Sequence, residues 1–151
     1  GTLTEDNIRE SVLNVARYDV FQLTEALLAG DLARYNRMID GLKGEGEPIV
    51  LIAWTVTEEV RLLNRLKHEM NQGQNLGMLL KMNRVWGNRE RLIPQALQRL
   101  NQDRLEKATQ VTAALDKQAK GLHPRKSDGP VAEKLPHDVW ESLRMLGRLF
   151  A

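Results

Sequence analysis

The chain is predicted to fold as an all-α protein, a compact bundle of about eight helices. Three observations predict it. Apolar residues recur at spacings of three and four along nearly the whole chain. Asp, Asn or Thr stands ahead of most of these runs, where a side-chain oxygen can cap helix N–H groups. No alternating apolar and polar run, Asn-Gly hairpin or strand–helix–strand pattern is present. At 151 residues, 42% of them hydrophobic and 28% charged, the chain has the make-up of one globular domain. A chain of this size buries roughly two-thirds of its unfolded surface, enough for a core without covalent staples. The sequence has no cysteine, so a disulfide framework, a zinc ribbon and a thiol nucleophile are excluded.

The elements follow in order. Thr4 is the expected cap of a first helix carrying Ile8, Val12, Val15 and Ala16. Asp19 is expected to cap a second, with Val20, Phe21, Thr24, Leu27 and Leu28. Gly30 ends it, because glycine enters the left-handed region without a Cβ penalty. Asp31 caps a third, with Leu32, Tyr35, Ile39 and Leu42, and Gly44-Glu45-Gly46 breaks the chain. Pro48 suits a first helical turn, where its missing N–H would be unpaired anyway. Behind it lies the longest apolar stripe: Ile49, Ile52, Ala53, Val56, Val60, Leu63, Leu66 and Met70. Its first turns are apolar nearly all round, which predicts a central helix buried on several sides, with Trp54 in the core.

Gly73 ends that stripe, and Asn75 caps a short helix with Leu76, Leu79, Leu80 and Met82. Asn88 starts another, through Leu92, Ala96, Leu97 and Leu100; Pro94 within it requires a start near Ile93 or a kink. Asn101 caps a long helix with Leu105, Ala108, Val111 and Leu115, stopped by Gly121. Residues 122–136 hold Pro124, Gly129, Pro130 and Pro136 and read as a loop. Asp138 and Glu141 are spaced as a capping box ahead of a last helix carrying Val139, Trp140, Leu143, Leu146, Leu149 and Phe150. No repeat at a fixed period is present, which argues against a solenoid.

The net charge is only +2, but it is unevenly spread. Residues 1–60 carry five basic and eleven acidic side chains, whereas residues 61–107 carry ten and four. The basic middle third could steer toward an anionic partner, so a basic helical nucleic-acid-binding domain is the alternative reading. No run approaches the ~18 apolar residues of a membrane span. The N-terminus opens on Glu5 and Asp6 with no apolar stretch behind them, unlike a signal peptide, and a cytoplasmic protein is expected. Gly1 in place of an initiator Met fits a piece of a longer protein.

No catalytic or ligand-binding set assembles in the sequence. His68, His123 and His137 are the only histidines; no two are four apart, and Arg65 and Lys134 stand three positions before His68 and His137 where a di-iron bundle needs Glu. Gly41 and Gly46 have the spacing of a phosphate-binding loop, but Glu47 follows where Lys is needed. Asp40, Glu45 and Glu47 would repel a polyphosphate. Ser11, Ser127 and Ser142 lie in no nucleophile-elbow context, and Glu58 and Glu59 occupy adjacent helix faces and cannot share a site. No catalytic residue, metal or cofactor is therefore expected. The better candidates are aromatic and basic: Arg84-Val85-Trp86-Gly87-Asn88-Arg89 puts a Trp between two arginines at a helix junction. Trp86 either packs between two helices with the arginines in water, or forms with them a surface for a protein or nucleic-acid partner. Trp140 has the same two readings, as core or as an anchor on a partner.

Several runs resemble the C-terminal part of the delta subunit family of the bacterial DNA polymerase III clamp loader. They are Ala16 to Phe21, Ala26 to Asp31, Gly46-Glu47-Pro48 and Glu59 to Leu63. Arg84-Val85-Trp86 with Asn88-Arg89, Ala96 to Leu100, Asp116 to Gly121 and Trp140 to Leu143 continue the series in order. The resemblance implies a helical collar domain over residues 16–151, with residues 1–15 as the end of a preceding helical domain. In that family an ATPase-like N-terminal module touches and opens the sliding clamp without a working phosphate-binding loop of its own. The collar domain joins a ring with the related domains of the other subunits. It implies a non-catalytic subunit-assembly role in DNA replication that positions the clamp-opening subunit. The implied partners are the other clamp-loader subunits; the sliding clamp would be met only through the N-terminal module, DNA through the complex, and no membrane. The residues assigned to the partner interface are Trp140 and Phe150 first, then Arg84, Trp86 and Arg89.

Overall fold

The structure, a computed structural model, describes residues 19–151. Among the described residues the chain forms seven α-helices and no strand. Helix α1 covers residues 19–29, α2 Leu32–Gly44, α3 Ile49–Asn71, α4 Leu76–Met82, α5 Asn88–Arg99, α6 Gln102–Ala119 and α7 Val139–Phe150. The helix expected behind Thr4 lies outside the described residues, and Asp19, expected as a cap, is itself helical. The proline-rich loop before α7 contains two single 3-10 turns, Lys126–Asp128 and Ala132–Lys134.

The expected caps form where a short polar side chain meets free helix N–H groups. Asp31 accepts from the Arg34 backbone N–H at 3.2 Å, Asn75 from Met78 at 3.1 Å and Asn101 from Arg104 at 2.8 Å. The capping box at α7 does not close. Asp138 accepts from the Trp140 N–H at 2.9 Å, but Glu141 turns forward to Arg144 Nε at 3.2 Å. Arg144 also grips Asp40 on α2, and a guanidinium is a stronger partner for Glu141 than a backbone N–H. Pro48 is the residue just before α3 rather than in its first turn. Helix α5 starts at Asn88 and continues through Pro94 without a break. The proline forfeits the bond to the Glu90 carbonyl, and Glu90 is on the exposed face, where water can take that oxygen.

Helix α3 ends on Gly73 (φ +88) and α6 on Gly121 (φ +80), each with the paired backbone bonds of a Schellman turn. Helix α4 ends the same way, with Arg84 N–H donating to the Lys81 carbonyl at 3.1 Å and Val85 N–H to Leu80 at 2.8 Å. The left-handed position there is held by Arg84, at φ +55, the one non-glycine with positive φ among the described residues. An L-residue pays roughly 1 kcal/mol for that conformation relative to glycine.

The core is built around α3, which packs on α6; α6 packs on α7, and α7 on α2. Small residues let α3 and α6 approach: Ala53, Thr57, Ala108 and Thr112 are all buried, and Thr57 Oγ1 returns its hydrogen bond to the Ala53 carbonyl at 2.6 Å. Between α2 and α7 the buried Tyr35 sets the Cδ1–Cε1 edge of its ring against Gly147 and donates its O–H to the Leu143 carbonyl at 2.6 Å. Burial pushes the Tyr35 phenol far above its ordinary value. Arg99 closes two helix ends at once, with Nε to the Phe150 carbonyl at 2.9 Å and Nη2 to the Leu28 carbonyl at 2.8 Å. Phe150 itself is fully buried beneath this clasp.

Candidate functional site

Two surface features remain once the core is accounted for. The first is a groove between α1 and α3, a cavity of about 270 Å³ roofed at one end by the start of α5. Val20 and Leu51 form its apolar floor, and Phe21 and Trp54 stand as its walls, 55% and 57% exposed. Trp54 was expected in the core; the structure places it on the surface. The reason lies in helix geometry. At 3.6 residues per turn Trp54 sits roughly 160° from the centre of the Ile52, Val56, Val60 and Leu63 stripe. The side of α3 that packs on its neighbours leaves Val50 and Trp54 uncovered.

The polar end of the groove is an ion pair. Glu59 is on the buried side of α3, only 8% exposed, and receives Arg89 Nη2 at 2.9 and 3.0 Å and Nε at 3.3 Å. Burial raises the Glu59 carboxyl above its ordinary value, more than the Arg89 charge and hydrogen bonds lower it. Glu58, one residue earlier, points outward and bridges to Arg61 at 2.8 Å. The two carboxylates thus serve different partners, as their adjacent helix positions require. Asn88 ties the start of α5 to α1 through Glu25 Oε2 at 3.4 Å.

The second feature is the turn from α4 to α5. Arg84 in the left-handed conformation and Gly87 (φ +68, ψ −146) bend the chain so that Val85 enters the core and Trp86 leaves it. Only glycine adopts the Gly87 conformation without strain. Trp86 is 69% exposed, with Met78 and Met82 exposed on the preceding helix. Lys81, Arg84 and Arg91 are exposed on the segments that flank the turn.

Of the residues assigned from sequence, the structure brings Arg84 and Trp86 together on this corner. Arg89 lies one helical turn further on and is committed to Glu59. Trp140 is half-buried against the core, and Phe150 is wholly inside it, so Phe150 offers no surface to a partner. Sequence reasoning missed Phe21, Trp54 and Glu59 as a group. A wheel of α3 carries the signal, since it sets a tryptophan opposite the apolar stripe and a glutamate within it. His123 and His137 share a separate cavity of about 420 Å³ before α7. Among the described residues no group of three His, Asp or Glu side chains is placed to hold a metal, and no helix is long and apolar enough to cross a membrane.

The described residues thus form a helical bundle with an aromatic, carboxylate-ended groove and an exposed aromatic turn. Residues 20–124 match the family described as processivity clamp loader gamma complex DNA pol III C-term. Over 111 residues the chain is 32% identical to DNA polymerase III subunit delta of Escherichia coli (strain K12), a match that covers 74% of this chain and 32% of that protein. The chain therefore belongs to the C-terminal family of DNA polymerase III clamp-loader subunits. It spans about a third of the length of the curated relative it matches, and the family match ends in the loop before α7.

Proposed function

We propose that the chain is the collar part of a clamp-loader subunit in the cytoplasm and that its task is mechanical. Residues 16–151 are read as the collar domain and residues 1–15 as the end of a preceding helical one. The rigid bundle docks against the corresponding domains of sister subunits and so holds a clamp-opening module in position, while other chains hydrolyse ATP. The observation that carries this reading is the family match over residues 20–124. Two clusters of exposed large apolar side chains on a well-covered bundle support it, because such side chains become hot spots when a partner buries them. A lasting interface should bury upward of ~1,000 Å². Size-exclusion chromatography with the purified ATPase subunits tests it: co-elution is expected, and separate elution of the complete subunit would refute it.

A second reading has its own observation. Trp86 stands in solvent on a turn whose flanking segments expose Lys81, Arg84 and Arg91, the residue types a base-stacking platform uses. On this reading the α4–α5 corner touches nucleic acid within the assembled loader. Binding should fall linearly in log K against log salt, and Arg84→Ala should flatten that slope by about 0.9. An unchanged slope would remove the corner from the DNA path.

A further inference from the structure

We propose that the α1–α3 groove is the seat for a helix of a sister subunit, which inserts one large apolar side chain between Phe21 and Trp54 and sets a Lys or Arg against Glu58. The inference rests on the collar reading and adds to it the site and the chemistry of what fills it. The groove's volume, about 270 Å³, holds one or two large side chains, not an extended ligand. Its walls are rigid aromatics standing over an apolar floor, the arrangement in which an inserted side chain is fully desolvated.

Charge selects among the occupants. The charged lining of the groove is two carboxylates, Glu58 and Glu59, against one cation, Arg89, and Asn88 beside Arg89 holds a third carboxylate, Glu25, on α1. That field repels phosphate, so neither nucleic acid nor an anionic membrane fits this face. A second copy meeting the groove across a two-fold axis would set the same carboxylates against each other. What fits is a chain with an apolar side chain flanked by a cation. Glu58 is free to accept it, because its present partner Arg61 forms an exposed bridge three residues away, which contributes little. Glu59 is not free: Arg89 occupies both its oxygens and keeps the end of the groove in shape.

The test uses the complete subunit and its purified sister subunits, with the wild-type complex measured first. If the wild type does not assemble, the collar reading itself fails. If it does, the double variant Phe21→Ala with Trp54→Ala should bind at least about 30-fold more weakly, the loss of a hot spot. Its thermal midpoint should barely move, since both side chains are mostly exposed. Glu58→Lys should slow association, and added salt should shrink the difference. With 19F-tryptophan in this subunit alone and unlabelled sister subunits, the resonance that Trp54→Phe removes should shift on assembly. Unchanged affinity in the double variant, or an unshifted Trp54 in the complex, overturns the assignment. So does self-association of the wild-type subunit that the double variant abolishes, because the occupant would then be a second copy.

Discussion

Replacing Gly147 with alanine puts a methyl group where the Tyr35 ring already is. A Cβ built there lies 2.6 Å from both Cδ1 and Cε1 of Tyr35, and 3.2 Å from Leu32 Cδ1. Tyr35 cannot swing aside: it is fully buried, and its O–H is anchored on the Leu143 carbonyl at 2.6 Å. Overpacking of this kind costs ~1–3 kcal/mol. Alanine for glycine inside a helix returns about 1 kcal/mol of backbone propensity. Because the clash is with ring carbons and not the end of a flexible chain, the upper part of the range applies, and the net loss should be about 2 kcal/mol. For a domain of this size that lowers the thermal midpoint by roughly 4–8 °C. Urea unfolding of Gly147→Ala against wild type measures it directly. Tyr35→Leu removes the ring, so Gly147→Ala made in that background should cost much less, a coupling the double-mutant cycle reports. A Gly147→Ala protein at least as stable as wild type, or a cycle without coupling, would refute the α2–α7 packing described.

Three further outcomes are expected. Arg84→Gly should raise stability by about 1 kcal/mol, because glycine takes the left-handed end of α4 without the Cβ penalty, while weakening whatever the α4–α5 corner binds; a lowered urea midpoint would show that Arg84 makes a stabilising contact. Glu59→Gln should alter the pH dependence of stability. The folded Glu59 carboxyl titrates above its ordinary value, so the stability it contributes is full below the ordinary Glu range and is lost as pH rises through the folded value. The glutamine variant should therefore gain on wild type across that window, and a constant difference in denaturation midpoints would contradict it. Arg99→Ala should cost roughly 2 kcal/mol, since it frees the Leu28 and Phe150 carbonyls together. Hydrogen exchange should then show fraying at the ends of both α1 and α7, and fraying at neither would rule out the shared clasp.

Local chemistry was legible in the sequence to the extent that it is decided locally. The helical period named the stripes of α2, α3, α6 and α7, and Asp31, Asn75 and Asn101 cap the helices they precede, because a cap needs only an oxygen two or three residues from a free N–H. Glycine at φ > 0 likewise marked the ends of α3 and α6. The order of family motifs was legible too, and residues 20–124 match the family they suggested. The candidate site was less so. Trp54 reads as core in a run that is apolar on every side, and Phe150 reads as an anchor at the end of an amphipathic helix. Which of them meets water depends on the neighbouring helices, and those contacts join residues far apart in the chain.

Element identity, most helix ends and family therefore come from the order of residues alone, since each rests on interactions within one turn or one motif. The exposure of Phe21, Trp54 and Trp86, the burial of Phe150 and the Arg89–Glu59 pair were decided only by tertiary packing. A helix shows the same side chains whichever way it is turned, and only the surfaces packed against it select the face left to bind a partner.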